Sequence, residues 1–119
     1  MKKLKVLIVD DDRDIQKRYE HHLKDAGIQI VSAYTLNEAW NLFQAHPDLS
    51  LIVMDACLVP RQPPTTLELV KKIREAQFSN SIIAASSDVG YRKQLLRAGC
   101  DCESEKWNVP KIVKEILNL

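Results

Sequence analysis

Neither sign of charge is in excess: seventeen basic residues face sixteen acidic ones, for a formal net charge of +1. That balance removes the long-range attraction that would gather nucleic acid or an anionic membrane, so any charge-based function must be local. Long apolar runs are also missing. The longest is a few residues, far short of the roughly 20 needed to cross a bilayer, and the Met1-Lys2-Lys3 start lacks the apolar stretch of a signal peptide. A cytoplasmic location is expected, without membrane or direct nucleic-acid partners. Cysteines are few and odd in number, Cys57, Cys100 and Cys102, which fits neither a disulfide framework nor a zinc set. Cys100 and Cys102 stand two apart, a spacing open to a soft metal, though small buried thiols are the commoner case. No internal repeat, linker or low-complexity tract interrupts the chain.

What is present suits one domain over residues 1–119. Hydrophobic residues make up 45% of the chain and charged ones 28%, enough apolar side chain for a core yet too short a chain for two. Apolar runs over 4–9, 28–33, 49–54 and 82–85 read as strands buried on both faces, which implies parallel pairing. Between them, Ile15, Tyr19, Leu23 and Ala26 recur at helical spacing, as do Ala39, Trp40 and Phe43, then Leu67, Val70 and Ile73. Val109, Ile112, Val113, Ile116 and Leu117, with Pro110 near the start, predict a C-terminal helix. Gly27 and Gly99 each close a helical stretch where positive φ is wanted. A fifth strand at 101–104 rests on the order of elements alone, because Asp-Cys-Glu-Ser has little β preference. The pattern predicts an α/β fold: a doubly wound, five-stranded parallel sheet with five helices in three layers, flavodoxin-like, with its site at the carboxyl ends of the strands.

At that edge the sequence concentrates acid. Asp10, Asp11 and Asp12 follow the first strand and Asp55 the third, so four carboxylates converge, with Asp12 better suited to capping the first helix and Asp14 to its dipole. Like charges packed together need a cation, and a hard divalent ion with oxygen ligands, Mg2+, fits best. Ser86 follows the fourth strand and Lys106 the fifth, a hydroxyl and an ammonium suited to phosphoryl oxygens.

Val-Leu-Ile-Val-Asp-Asp-Asp at 6–12, Leu-Ile-Val-Met-Asp at 51–55, Ser86 and Lys106, in this order along the whole chain, resemble response-regulator receiver domains. The resemblance implies that Asp10 and Asp11 form an acidic pair, with Asp11 the direct Mg2+ ligand, and that Asp55 is both ligand and phosphoacceptor. It implies that Cys57 lends its backbone carbonyl to the metal, that Ser86 and Lys106 bind phosphoryl oxygens, and that Ser86 moves toward them on activation. A sensor histidine kinase or histidine phosphotransfer protein would be the donor. The face from the fourth helix, 89–98, to the last helix would meet a second copy or a downstream protein. No enzyme activity beyond self-catalysed phosphotransfer and autodephosphorylation is expected.

Three departures from the family pattern stand out. The stretch Val59-Pro60-Arg61-Gln62-Pro63-Pro64 is longer than usual and lacks glycine, which predicts a stiff loop beside Asp55. Trp107 follows Lys106 where the family has a cis proline, and a cis bond there would cost about 3 kcal/mol; surface packing is the reading for the indole. Glu103 replaces the family's switching aromatic and reads as a solvated strand residue, with pairing to a basic side chain as the other option. These departures favour one alternative, a degenerate receiver that signals by protein contacts without phosphorylation. The Asp10-x-Asp12 spacing favours another, a haloacid-dehalogenase-like phosphatase with Asp10 as nucleophile, although the chain is short for one. No helix-turn-helix follows within the 119 residues, so a direct role in transcription is not expected; standing alone and being a fragment of a longer protein are both open, with the initial Met and a finished last helix leaning toward a complete product.

Overall fold

Apolar stretches rich in β-branched residues form the middle of the molecule because, in a parallel sheet covered on both faces, every side chain of a central strand is buried. The computed structural model describes residues 3–58 and 65–119; the 59–64 loop, and with it the expectation of stiffness there, lies outside the described residues. The strands are β1 (Leu4–Val9), β2 (Ile28–Ala33), β3 (Leu51–Asp55), β4 (Ser81–Ala85) and β5 (Cys102–Ser104). They make one all-parallel sheet in the order β2-β1-β3-β4-β5, the expected flavodoxin-like winding.

Alternate residues along each strand feed two separate cores. Leu7, Val9, Ile52, Met54, Ile82 and Ala84 pack under α2 (Leu36–Ala45), α3 (Leu67–Glu75) and α4 (Val89–Ala98). Val6, Ile8, Leu51, Val53, Ile83 and Ala85 pack under α1 (Arg13–Leu23) and α5 (Val109–Ile116). The three predicted layers are therefore present.

Boundaries shift where local chemistry intervenes. Helix α1 stops at Leu23, and a single 3-10 turn, Lys24–Ala26, carries Ala26 to Gly27 at φ 77°. Gly99 ends α4 at φ 135°. The third strand starts at Leu51 rather than residue 49: the Ser50 hydroxyl accepts the Lys5 N–H at 3.1 Å, while the Ser50 N–H donates to the Lys5 carbonyl at 2.7 Å. β5 begins at Cys102, one residue later than expected, because Asp101 turns its carboxylate to the Ile82 N–H at 2.8 Å.

That last contact belongs to a clasp at the amino ends of the strands. Arg74 donates to the carbonyls of Gly99, Phe78 and Asn80 at 2.9, 2.7 and 2.9 Å, and its remaining nitrogen meets Asp101 at 2.6 Å. The Asn80 amide donates to the Leu49 carbonyl at 2.9 Å, and Lys5 pairs with Asp48 at 2.9 Å. The cysteines are small core or edge residues: burial pushes the Cys100 thiol up to about 12, and neither Cys100 nor Cys102 is in a disulfide.

Candidate functional site

The winding reverses between β1 and β3, so their carboxyl ends open a crevice at the topological switch point. Asp10, one residue beyond β1, and Asp55, the last residue of β3, both lie in that crevice and are almost wholly buried. Asp11 stands beside them, half-buried. One carboxylate oxygen from each of the three lies within 4.8 Å of the others. The fourth acid, Asp12, turns away as the cap of α1, accepting the N–H groups of Asp14 and Ile15 at 2.9 and 3.2 Å. Asp14 falls in the first turn of α1.

Lys106 supplies one positive charge, its ammonium 3.2 Å from Asp10 and 3.2 Å from Asp55. It gets there without a cis bond, since all described peptide bonds are trans and Lys106–Asn108 forms a short 3-10 turn. The Tyr19 hydroxyl of α1 steadies that turn by donating to the Lys106 carbonyl at 2.8 Å. One cation does not balance three acids. Burial, then the Asp10 charge, pushes the Asp55 carboxyl up to about 7, against the opposing pull of Lys106. Burial likewise raises Asp10, although the Asp12 N–H and Lys106 lower it. Burial alone would lower the Lys106 ammonium, yet Asp55 and Asp10 together hold it above its ordinary value. Among the described residues the crevice thus has more negative than positive charge, and its clustered donors are carboxylate oxygens, which fits a divalent ion such as Mg2+.

Ser86 follows β4 directly, next to Asp55, whose register partner is Ala85. It is buried, and its hydroxyl accepts the Asp88 N–H at 3.1 Å. Asp88 caps α4 through the Tyr91 N–H at 2.9 Å. Cys57 lies half-buried two residues beyond Asp55, its thiol raised first by burial and then by the Asp55 charge.

One expectation at this edge needs correcting. Glu103 is not simply solvated: its carboxylate holds Arg92 at 3.0 Å and Lys93 at 2.5 Å, and Lys93 then Arg92 keep it below the usual carboxylate range. Trp107 lies at the surface beside Pro110 and Lys111. It stays 69% exposed, its indole N–H donating to Glu105.

Sequence reading missed the residues that hold the crevice in shape. Gln16 lies buried in α1, and its amide donates to the carbonyls of Ile8, Asp10 and Ala33 at 3.0, 3.1 and 3.1 Å. Thr66 is buried just before α3 and donates to the carbonyls of Asp55 and Ala56 at 2.7 and 3.0 Å. Arg92, also buried, donates to the Ser86 carbonyl at 2.7 Å. The available signal was a polar residue on an otherwise apolar helical stripe: Gln16 shares its face with Tyr19 and Leu23.

Comparison with known proteins agrees with this geometry. The family model for the response regulator receiver domain matches residues 6–114. A two-component response regulator from Clostridium difficile superposes with a TM-score of 0.81 at 26% identity, covering 97% of this chain and 96% of that one. The Vibrio cholerae chemotaxis protein CheY4 superposes at 0.79 with 24% identity, covering 98% of each chain, and shows the fold. Among curated proteins, the "Probable transcriptional regulator ycf27" of Porphyridium aerugineum is 29% identical over 102 residues. That stretch is 85% of this chain and 41% of the relative, so the chain spans about two fifths of that relative's length. Among the described residues, no helix is long and apolar enough to cross a membrane.

Proposed function

The chain belongs to the response regulator receiver domain family, and from that premise we propose that it takes a phosphoryl group from a phosphohistidine onto Asp55. The donor would be a sensor histidine kinase or a histidine phosphotransfer protein. The observation that carries this reading is the crevice itself, with three carboxylate oxygens mutually within 4.8 Å and one ammonium 3.2 Å from two of the acids.

An Asp55 oxygen forms the new P–O bond while the P–N bond opposite it breaks; the electron pair returns to the ring nitrogen of a phosphohistidine that carries a proton on its other nitrogen, so the imidazole leaves neutral. Such a transfer needs little covalent help from the protein and much positioning and charge neutralisation. Asp10, Asp11, Asp55 and the Cys57 carbonyl would hold Mg2+. Bound there, the metal supplies positive charge against the phosphoryl oxygens. Lys106 would pair with one phosphoryl oxygen and the Ser86 hydroxyl would donate to another; later attack by water at phosphorus breaks the P–O bond to Asp55, releases inorganic phosphate and returns the free carboxylate. The face from α4 to α5 is the proposed contact for a second copy or a downstream protein.

Acetyl phosphate with Mg2+, followed by intact-mass measurement and peptide mapping, tests this. One phosphoryl increment is expected on the Asp55 peptide, base-labile and absent from Asp55→Asn. Labelling that survives Asp55→Asn and vanishes in Asp10→Asn would instead support the dehalogenase-like reading. No adduct at all would leave the degenerate receiver.

A further inference from the structure

Both backbone groups of Ser86 are fastened from outside its own segment. The N–H donates to the Ser104 carbonyl of β5 at 3.2 Å, and the carbonyl accepts from the Arg92 guanidinium of α4 at 2.7 Å. Arg92 in turn donates through Nε to Glu103 on β5 at 3.0 Å, and the other Glu103 oxygen meets Lys93 at 2.5 Å. Exposure grades outward along this chain of contacts, the side chains of Arg92, Glu103 and Lys93 being 10%, 25% and 52% exposed. Neither Arg92 nor Glu103 touches the acids of the crevice; the path from them to the reacting group passes through the Ser86 backbone.

We propose that Arg92, held by Glu103, is a positioning residue for the Ser86 hydroxyl, so that the ion pair on the α4–β5 face and the phosphoryl site respond to each other. The proposal rests on the reading of Ser86 as a phosphoryl ligand. A guanidinium is a rigid planar fork, so its donors to the Ser86 carbonyl and the Glu103 carboxylate have a fixed relation to one another. A displacement of the Ser86 carbonyl by about 1 Å carries a 2.7 Å contact past hydrogen-bonding range. Arg92 then either follows Ser86 and disturbs its pair with Glu103, or stays and resists the displacement. Coupling between two sites is reciprocal, so a change in the pair alters how the hydroxyl meets its ligand.

A brace that merely fastens α4 to β5 would show the same contacts, and a double-mutant cycle separates the two. The rate of phosphoryl uptake from acetyl phosphate with Mg2+ is measured for the full chain, Ser86→Ala, Glu103→Gln and the double variant, with peptide mapping to Asp55. Glu103→Gln keeps size and polarity and removes the charge that holds Arg92. If the pair acts through Ser86, Glu103→Gln slows uptake about 5-fold in the parent and less than about 2-fold in the Ser86→Ala background. Arg92→Lys, which keeps the charge and loses the fork, repeats the cycle should Glu103→Gln fail to fold. An equal factor in both backgrounds, or no effect in the parent, overturns the proposal while leaving phosphorylation of Asp55 intact. A parent chain that takes up no phosphoryl group overturns the reading of Asp55, and this inference with it.

Discussion

In the absence of a divalent ion, Asp55→Asn is expected to melt above the parent at pH 8. The folded chain holds the Asp55 carboxyl at about 7, against 3.8 for the ordinary group. Between those values the folded state binds more protons than the unfolded one, so stability falls as pH rises from about 4, and the cost is complete above about 7. Three units correspond to about 4 kcal/mol as an upper bound. Asparagine keeps the shape without the charge; the opposing pull of Lys106 is already contained in that net shift, and relaxation of the crevice around the charge brings the gain to about half the bound, about 2 kcal/mol. For a domain of this size that is about 8 °C in Tm at pH 8. The gain should shrink steadily toward pH 4, where the parent's own carboxyl is protonated. Thermal melts followed by circular dichroism in EDTA, from pH 4.5 to 8, measure it. Millimolar Mg2+ should then raise the Tm of the parent and leave the variant nearly where it was. A parent as stable as the variant at pH 8, or a gain that does not vary with pH, would refute the claim that burial and crowding of negative charge set the energetics of the crevice.

Three further outcomes are expected. Lys106→Met removes the ammonium that serves both Asp10 and Asp55 and should slow uptake from acetyl phosphate on the order of 100-fold, read by the same mass measurement. Gln16→Leu removes the amide shared by the carbonyls of Ile8, Asp10 and Ala33, of which Ala33 keeps the Asp10 N–H, and should cost about 2 kcal/mol in urea titration. Gly99→Ala, at φ 135° with its new Cβ only 2.9 Å from the Arg74 Cγ, should lose about 2 kcal/mol or more by the same titration.

How much the sequence disclosed depended on whether a signal was local. The runs at Leu4–Val9 and Ile28–Ala33 fall on strands with those bounds, because apolar, β-branched runs suit a covered sheet; the expectation that 28–33 is buried on both faces needs correcting, since β2 lies at the sheet's edge and is only partly buried, with Gln29 and Ser32 in it. The acids at 10, 11 and 55 were legible because a strand end fixes where the next residue points. β5 was nearly invisible: Cys102, Glu103 and Ser104 are a strand because Ile83, Ala84 and Ala85 stand beside them in register, a pairing no propensity encodes. Likewise Gln16, Thr66 and Arg92 matter for backbone groups far away in the chain, and Glu103 was misjudged because its partners come from a neighbouring helix. Trp107, read as a surface residue, lies at the surface.

The two rims of the sheet are built to opposite specifications. Around Arg74 each nitrogen of one guanidinium has found an acceptor, and Asp101, Asn80 and Ser50 stitch the strand starts to one another. At the other rim, negative groups crowd one ammonium. A cation arriving there would relieve like-charge crowding at one end of strands whose other ends are hydrogen-bonded to one another, so any displacement is expected at the loops of the acidic rim and at α4, with the Arg74 end held in place.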